Sequence, residues 1–125
     1  MYRIFMIEDD KGILDAVKDR CAKWELEMFG VDNYRNILTE FVERQPHLVI
    51  MDIGLPAFDG YHWCREIRRI SNVPILFLSS AADNMNQVMA MNMGGDDFIA
   101  KPFDYDVLIA KIQALLRRAY DFAGH

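Results

Sequence analysis

Segments with the pattern of β-strands alternate with segments with the pattern of α-helices along the whole chain. The strand-like segments are short and apolar, whereas the helix-like segments repeat apolar residues at intervals of three or four. Strands separated by helices form parallel sheets, because each helix carries the chain back across one face of the sheet. The sequence therefore predicts an α/β fold in which helices cover both faces of one parallel sheet.

The element boundaries follow from these patterns and from turn residues such as Asp59-Gly60 and Gly94-Gly95. The predicted strands are 2–7, 27–31, 48–51, 75–78 and 98–100, and the predicted helices are 11–24, 34–44, 61–70, 84–93 and 104–120. The chain of 125 residues contains no linker-like, repeated or low-complexity tract between these elements. We therefore expect a single domain, large enough to bury a core without disulfides.

Acidic residues directly follow two of the predicted strands. Glu8, Asp9 and Asp10 follow strand 2–7, and Asp52 follows strand 48–51. The carboxyl ends of parallel strands meet at one edge of the sheet, where open α/β sheets bind their ligands. Carboxylates gathered there repel one another unless a cation compensates them, and Mg²⁺ favours oxygen ligands together with water. We therefore expect a divalent cation near Glu8, Asp9 and Asp52, and we assign Asp10 to the cap of the first helix.

A hydroxyl group and a cation follow two further strands at the same edge. Ser79 comes after strand 75–78, and Lys101 comes after strand 98–100. Taken singly, a serine can simply end a strand, and a lysine before a proline is usually a solvated surface residue. Taken with Asp52, they provide a nucleophilic carboxylate, a hydroxyl donor and a positive charge around one point. That combination suits the transfer of a phosphoryl group.

Charge and composition argue against several other classes of protein. The formal net charge of −5 disfavours binding of nucleic acid by this chain alone, so any contact with DNA would come from another module. Cys21 and Cys64 lack metal-ligand spacing, which favours reduced thiols in a cytoplasmic protein. Apolar stretches fall short of the roughly 20 residues that a membrane span needs, so we expect no membrane insertion.

The motifs at the strand ends resemble those of the receiver domains of two-component response regulators, over essentially the whole chain. The resemblance rests on residues 7–10, 51–56 with 59–60, 73–79 and 94–103. It implies a flavodoxin-like (βα)5 fold, a doubly wound parallel five-stranded sheet with the strand order 2-1-3-4-5. The receiver domain would span 1–120, and 121–125 would begin a linker or form a tail.

The end of the chain is similar to the subfamily of response regulators that carries a C-terminal winged-helix DNA-binding domain. We expect that effector domain to lie outside this chain. Within the subfamily, residues 63–68 and 89–98 are similar to regulators of bacitracin and antimicrobial-peptide resistance in Gram-positive bacteria. The resemblance implies a signalling switch that controls transcription, with intrinsic autophosphorylation and slow autodephosphorylation, and not an enzyme with an external product.

The resemblance also implies a role for each acidic residue at the sheet edge. Asp52 would accept a phosphoryl group from a histidine of a sensor kinase. Asp9 and Asp52 would bind Mg²⁺ directly, Glu8 would act through water, and the backbone carbonyl of Gly54 would complete the protein ligands. Mn²⁺ is an alternative to Mg²⁺ at such a site.

The remaining strand-end residues match the family's charge-balancing and switching positions. Lys101 would supply a second positive charge, and Pro102 resembles the family's cis proline. Ser79 would move toward the phosphoryl oxygen, and Phe98 would turn into the space that Ser79 leaves. The family often has a tyrosine at the position of Phe98, so here the switch would act by packing without a hydroxyl anchor.

The implied output surface consists of the fourth helix, the fifth strand and the fifth helix, through which phosphorylated members form homodimers. Asp96 and Asp97 match the family's acids, and Lys111 and Arg118 match its bases, seven residues apart on one helical face. Four positions where the family usually has charges are uncharged here: Gln87, Asn92, Val107 and Gln113. Exposed ion pairs contribute only about 0–1 kcal/mol each, so we expect a weakened or altered dimer, and a different dimer surface stays open.

Three other functions fit parts of the pattern. An aspartyl-phosphate hydrolase also uses an Asp nucleophile and Mg²⁺, but would want a second acid where this chain has Gly54. A flavin- or nucleotide-binding module would need a Gly- or Ser/Thr-rich loop after the first strand, where this chain has acids. A degenerate receiver that only binds partners would not need all five strand-end residues.

Overall fold

The computed structural model describes residues 1–55, 59–80 and 84–121, with the backbone alone for 84–86. Its strands are β1 (Arg3–Ile7), β2 (Glu27–Phe29), β3 (Leu48–Asp52), β4 (Ile75–Ser79) and β5 (Asp97–Ala100). Its helices are α1 (Lys11–Lys23), α2 (Ile37–Arg44), α3 (Gly60–Arg68), α4 (Asn84–Asn92) and α5 (Tyr105–Leu116), followed by a π-helix (Arg117–Asp121). All strand pairs are parallel, in the order β2-β1-β3-β4-β5. The predicted fold and strand order are confirmed.

The sheet separates two apolar cores. One core joins Ile4, Met6, Ile50, Leu76 and Leu78 of the strands to Val17 and Cys21 of α1 and to Leu108, Ile112 and Leu115 of α5. The other joins Phe5, Ile7, Val49, Met51 and Phe77 to Ile37 and Phe41 of α2, to Trp63, Cys64 and Ile67 of α3, and to Ala90 of α4. Both cysteines are buried free thiols. Because β1, β3 and β4 are covered on both faces, their sequences are apolar throughout instead of alternating.

Helix α1 begins where the sequence predicts it. Asp10 has extended backbone angles, and its side chain accepts a hydrogen bond from the Ile13 amide at 3.2 Å. The same kind of cap starts α3 at Asp59 and α5 at Asp104. These caps satisfy amides that have no partner inside the helix. The interpretation of Asp10 as a helix cap is confirmed.

The connection between β2 and α2 differs from the predicted boundaries. Strand 27–31 and helix 34–44 were expected, whereas β2 ends at Phe29 and α2 begins at Ile37. The carboxylate of Glu40 accepts hydrogen bonds from the amides of Asp32 and Asn33, each at 2.9 Å. These bonds satisfy backbone donors in a turn, so the residues do not join the strand or the helix.

The last helix also differs from the prediction of one α-helix over 104–120. Its α-helical part ends at Leu116, and Arg118 lies in the π-helix. A π-helix has a wider turn than an α-helix, so the spacing that was expected to put Arg118 on the face of Lys111 does not extend to it. Hydrogen bonds from Tyr120 to the carbonyl of His47 and from Tyr2 to Asp121 hold this turn. Of the predicted tail 121–125, residues 122–125 lie outside the described residues.

His47 forms hydrogen bonds at the amino end of β1, on the side of the sheet opposite to the acidic residues. Its Nδ1 accepts a hydrogen bond from the Arg3 amide at 2.9 Å, and its carbonyl accepts one from the Tyr120 hydroxyl at 2.6 Å. Burial lowers the pKa of His47, and the positive charges of Arg3 and the N-terminus lower it further. The neutral imidazole is therefore the form that the folded chain favours.

This lowered pKa predicts a loss of stability in acid. The stability that neutral His47 contributes is complete above its unfolded pKa of about 6.5, and is lost as the pH falls through the lower folded value. Replacing His47 by Asn is expected to cost about 1 kcal/mol near neutral pH and to reduce the loss on acidification, because an amide oxygen accepts without titrating. Urea denaturation of both chains at about pH 7.5 and about pH 5.5 measures this. An equal loss in both chains would contradict the role of His47.

Candidate functional site

The carboxyl ends of β1, β3, β4 and β5 form one edge of the sheet. Ile7 pairs with Met51, and Asp52 pairs with Leu78. Ser79 pairs with Ala100, and the Lys101 amide donates a hydrogen bond to the Ser79 carbonyl at 2.7 Å. The register thus brings the last residues of β3 and β4 to the same level as the residues that follow β1 and β5. Glu8, Asp9, Asp52, Ser79 and Lys101 all lie at this edge, as the sequence predicts.

Lys101 lies between two buried carboxylates. Its Nζ is 2.7 Å from Glu8 Oε2 and 3.2 Å from Asp52 Oδ2. Glu8 is 1% exposed and Asp52 is 4% exposed, whereas Asp9 is exposed to solvent. The ammonium group is therefore shared between two acids that are shielded from water, and the third acid, Asp9, is accessible to solvent.

Backbone amides hold the other oxygens of the two buried acids. Asp52 Oδ1 accepts a hydrogen bond from the Gly54 amide at 3.1 Å, and Glu8 Oε1 accepts one from the Asp10 amide at 3.1 Å. Each buried carboxylate thus has one oxygen toward an amide and one toward Lys101. This arrangement fixes the orientation of both carboxylates before any ligand binds.

Burial and pairing shift the pKa values of Glu8 and Lys101 in ways that depend on each other. Burial raises the pKa of Glu8, Lys101 and the Asp10 amide oppose that rise, and the charge of Asp52 adds to it. Burial alone would lower the pKa of Lys101, but its pairing with Glu8 and the charge of Asp52 outweigh burial and raise that pKa. Lys101 therefore remains a cation at neutral pH.

The three carboxylates suit a divalent cation. One oxygen from each of Glu8, Asp9 and Asp52 can be chosen so that all lie within 4.8 Å of one another. Glu8 and Asp52 share the ammonium group of Lys101, so among the described contacts three negative charges meet one positive charge at this edge. Hard oxygen ligands, one of them open to water, are the donor set that Mg²⁺ favours. The residues present therefore fit a magnesium site.

Ser79, Phe98 and Pro102 also lie where the sequence predicts. Ser79 is buried, and Phe98 is partly buried, opposite Phe77 across the β4–β5 pair and against the core that α2, α3 and α4 cover. The Lys101–Pro102 peptide bond is cis. Within the part of the chain that the structure describes, a Cβ at Gly54 would have no neighbour within 4 Å.

Three of the four charged residues expected at a dimer face, Asp96, Asp97 and Lys111, have ion-pair partners within a single chain. Asp97 pairs with Lys111 at 3.0 Å. Asp96 pairs with Arg68 at 2.8 Å and also accepts a hydrogen bond from the Ile75 amide at 2.8 Å. Arg68 further donates to the carbonyls of Val73 and Gly94. The Asp96 carboxylate, which directly precedes β5, thus already binds groups of α3 and β4 within the chain.

Two contributors to the site were not identified from the sequence. The Tyr34 hydroxyl donates a hydrogen bond to the Glu8 carbonyl at 2.6 Å, and the pKa of Tyr34 is raised by burial and by the nearby charges of Asp9, Glu8 and Asp52. Gly60 packs against β3, since a Cβ there would clash with the Asp52 carbonyl and lie 2.9 Å from Met51 Cγ. The Asp59-Gly60 pair suggested only a turn, and no pattern in the sequence marks Tyr34.

A family model for the response regulator receiver domain matches residues 4–113. The chain belongs to this family. The expectation that this receiver domain is a signalling module is therefore confirmed. Among the described residues, none of the helices is both long enough and apolar enough to cross a membrane.

Individual relatives support the predicted similarity to regulators of bacitracin and antimicrobial-peptide resistance. The sensory transduction protein BceR of Halalkalibacterium halodurans is 52% identical over 124 residues, which are 99% of this chain and 54% of that protein. The response regulator protein GraR of Staphylococcus haemolyticus is 45% identical over 122 residues, 98% of this chain and 54% of that protein. The receiver domain thus spans about half the length of these curated relatives.

A solved structure adds to this likeness. The N-terminal domain of the nisin resistance regulator NsrR, described as a lantibiotic response regulator, is 44% identical with a TM-score of 0.87. The match covers 94% of this chain and 99% of that domain. The predicted similarity to regulators of antimicrobial-peptide resistance is confirmed for the receiver domain.

Proposed function

We propose that this receiver domain is a phosphorylation-activated switch in which Asp52 accepts a phosphoryl group from a phosphohistidine of a sensor kinase. The observation that carries the proposal is the setting of the Asp52 carboxylate. It is held by the Gly54 amide at 3.1 Å and by Lys101 Nζ at 3.2 Å, beside the carboxylates of Glu8 and Asp9. The proposed nucleophile Asp52, the ammonium group of Lys101 and the acidic cluster that fits a divalent cation thus lie at one sheet edge. In-line phosphoryl transfer requires such positioning and charge stabilisation.

The chemical step follows from this setting. A carboxylate oxygen of Asp52 attacks the phosphorus, the bond from phosphorus to the histidine nitrogen breaks, and the histidine leaves with the bonding electrons. Lys101 then faces the transferred phosphoryl oxygens, so charge that was shared between two acids stabilises the new acyl phosphate. Attack by water on phosphorus later returns Asp52 and inorganic phosphate, which is slow autodephosphorylation. A small phosphodonor such as acetyl phosphate replaces the kinase in autophosphorylation.

Asp9 and Asp52 are proposed to hold Mg²⁺, or Mn²⁺, directly, with Glu8 acting through water and the Gly54 carbonyl as a further ligand. When bound, the divalent cation supplies positive charge that offsets repulsion between Asp52 and the incoming phosphoryl group. Glu8 is buried and paired with Lys101, which favours an indirect role for it. Asp9 is exposed and therefore accessible to a hydrated ion.

Replacing Asp9 by Asn is expected to stabilise the chain without metal and to weaken its stabilisation by Mg²⁺. The change removes one of three mutually repelling carboxylates, which we expect to add roughly 0.5 kcal/mol to the free energy of unfolding. It also removes a ligand, so added Mg²⁺ should raise the urea midpoint less than in the native chain. Asp15→Asn, an exposed change on α1, is the matched control. A native response to Mg²⁺ in Asp9→Asn would argue against Asp9 as a ligand.

Phosphorylation is proposed to act on the output surface through Ser79 and Phe98. Movement of Ser79 toward the phosphoryl group would vacate space beside Phe98, which lies on the next strand. The ring would turn inward and change the surface formed by α4, β5 and α5. This two-state shift requires only a few kcal/mol of bias.

The same surface is proposed to form a homodimer on phosphorylation. Asp96, Asp97, Lys111 and Arg118 would contribute charges, and Val107, 46% exposed, would contribute apolar area. Because Asp96 and Asp97 already have partners within the chain, pairing across a dimer would require exchange of those partners. The full-length protein would act in the cytoplasm as a transcription regulator, binding DNA through a C-terminal winged-helix domain outside this chain.

The test is intact-mass spectrometry of the native chain after incubation with acetyl phosphate, with Mg²⁺ or with a chelator. We expect one labile phosphoryl group that forms only with the metal, and a larger species on size exclusion of the phosphorylated sample. A folded chain that takes no phosphoryl group under either condition would support a receiver that only binds partners.

A further inference from the structure

Tyr34 links the β2–α2 connection to the acidic turn after β1. Its hydroxyl donates a hydrogen bond to the Glu8 carbonyl at 2.6 Å, and its ring packs against the core that α2, α3 and α4 cover. The accepting carbonyl belongs to the peptide group that joins Glu8 to Asp9. The bond therefore acts on the backbone between two acids that approach each other at the cation site.

The connection that carries Tyr34 is itself held in place. The Glu40 carboxylate accepts hydrogen bonds from the amides of Asp32 and Asn33, and Glu40 is 8% exposed. Arg44 pairs with Asp32 at 3.0 Å on the outer side of the same turn. Two side chains of α2 thus hold the segment just before Tyr34, Glu40 through backbone amides and Arg44 through the Asp32 side chain. The phenol is a positioned donor and not the end of a loose loop.

The acidic turn needs such support because it lies beyond the strand. Strand β1 ends at Ile7, so the peptide between Glu8 and Asp9 follows the paired part of the strand. The Glu8 side chain is fixed by the Asp10 amide and by Lys101, but the Asp9 side chain is exposed. The direction of the Asp9 carboxylate therefore depends on the orientation of the preceding peptide group.

We propose that Tyr34 is a positioning residue for the divalent-cation site, and that its hydroxyl orients the Glu8–Asp9 peptide so that Asp9 faces Asp52. This inference rests on the proposed function, because it assigns Asp9 and Asp52 to the cation. Outer partners of metal ligands commonly raise metal affinity by holding the ligands in place. Tyr34 does so through the backbone, so its contribution affects binding of the cation and not the transfer step.

Tyr34→Phe isolates the hydroxyl because it keeps the ring. Tyr120→Phe is a matched control, since the Tyr120 hydroxyl also donates to a carbonyl at 2.6 Å, but at the opposite edge of the sheet. Calorimetric titration of each chain with MgCl2 gives the dissociation constant directly. We expect the dissociation constant for Mg²⁺ to be roughly tenfold higher in Tyr34→Phe and unchanged in Tyr120→Phe. A roughly tenfold change is the lower end of the loss of metal affinity when an outer partner of a metal ligand is removed.

Phosphorylation by acetyl phosphate provides the second readout. In Tyr34→Phe the Mg²⁺ concentration for half-maximal rate should rise by the same factor, while the rate at saturating Mg²⁺ stays native. If Tyr34→Phe bound Mg²⁺ with the native affinity, or if both variants lost the same affinity, the positioning role of Tyr34 would be overturned. The proposed function would still stand in that case, provided that the native chain is phosphorylated. A native chain that neither binds Mg²⁺ nor accepts a phosphoryl group would overturn the proposed function as well.

Discussion

Replacing Asp52 by Asn is expected to abolish phosphorylation of the chain by acetyl phosphate. An amide nitrogen or oxygen is a poor nucleophile toward phosphorus, and no described acid shares the contacts of Asp52 with both the Gly54 amide and Lys101. The rate should fall to the background of the assay, while the fold is retained because Asn is close to Asp in shape. Intact-mass spectrometry under conditions that fully label the native chain measures the loss.

The same change should make the chain more stable without metal. It removes a buried carboxylate that repels Glu8, while Lys101 keeps Glu8 as its partner. Asp19→Asn, an exposed change on α1, is the control for removing one negative charge. Full labelling of Asp52→Asn would show that another residue accepts the phosphoryl group. Loss of labelling in Asp19→Asn as well would point to a general effect of charge.

Replacing Gly60 by Ala is expected to destabilise the chain and to slow phosphorylation. A Cβ at this position would clash with the Asp52 carbonyl and lie 2.9 Å from Met51 Cγ, so α3 and β3 must separate. Such overpacking costs about 1–3 kcal/mol, more than the helix propensity of alanine returns. Because the displaced backbone belongs to Asp52, a shift of about 1 Å should slow transfer by roughly a hundredfold.

Gly30→Ala is the matched control for this change. A Cβ there would meet the Leu14 methyl groups at 3.6 and 3.7 Å, which is ordinary contact. Urea denaturation and the rate of labelling by acetyl phosphate should both stay near the native values in Gly30→Ala. If Gly60→Ala behaved like Gly30→Ala, close packing of α3 on Asp52 would not matter for the site.

Much of the fold was predictable because the strands are buried on both faces. The apolar runs of β1, β3 and β4 cannot be accommodated at a surface, so their positions and the parallel sheet follow from the sequence. The start of α2 was not predictable in the same way. It depends on the Glu40 carboxylate reaching the amides of Asp32 and Asn33, which is a tertiary contact.

In the site, too, the order of the strands was predictable from the sequence, whereas individual side-chain contacts were not. Parallel strands end at one edge, so topology brings together the residues at or just beyond the strand ends. Glu8, Asp9, Asp52, Ser79 and Lys101 were therefore predictable. The pairing of Lys101 with Glu8 at 2.7 Å depends on side-chain direction and burial. The Tyr34 hydroxyl contacts the Glu8 carbonyl, and Gly60 leaves room for the Asp52 carbonyl. Both contacts involve backbone groups, so no pattern of residue types reveals them.

The most direct test of the central claim is to locate the phosphoryl group on the native chain. After labelling with acetyl phosphate and Mg²⁺, borohydride reduction converts an aspartyl phosphate to homoserine, and peptide mass spectrometry identifies its position. We expect homoserine at position 52 alone, and none when a chelator replaces Mg²⁺. Reduction at another acid, or labelling that does not depend on Mg²⁺, would contradict the assignment of Asp52 as the phosphoacceptor of a metal-dependent site.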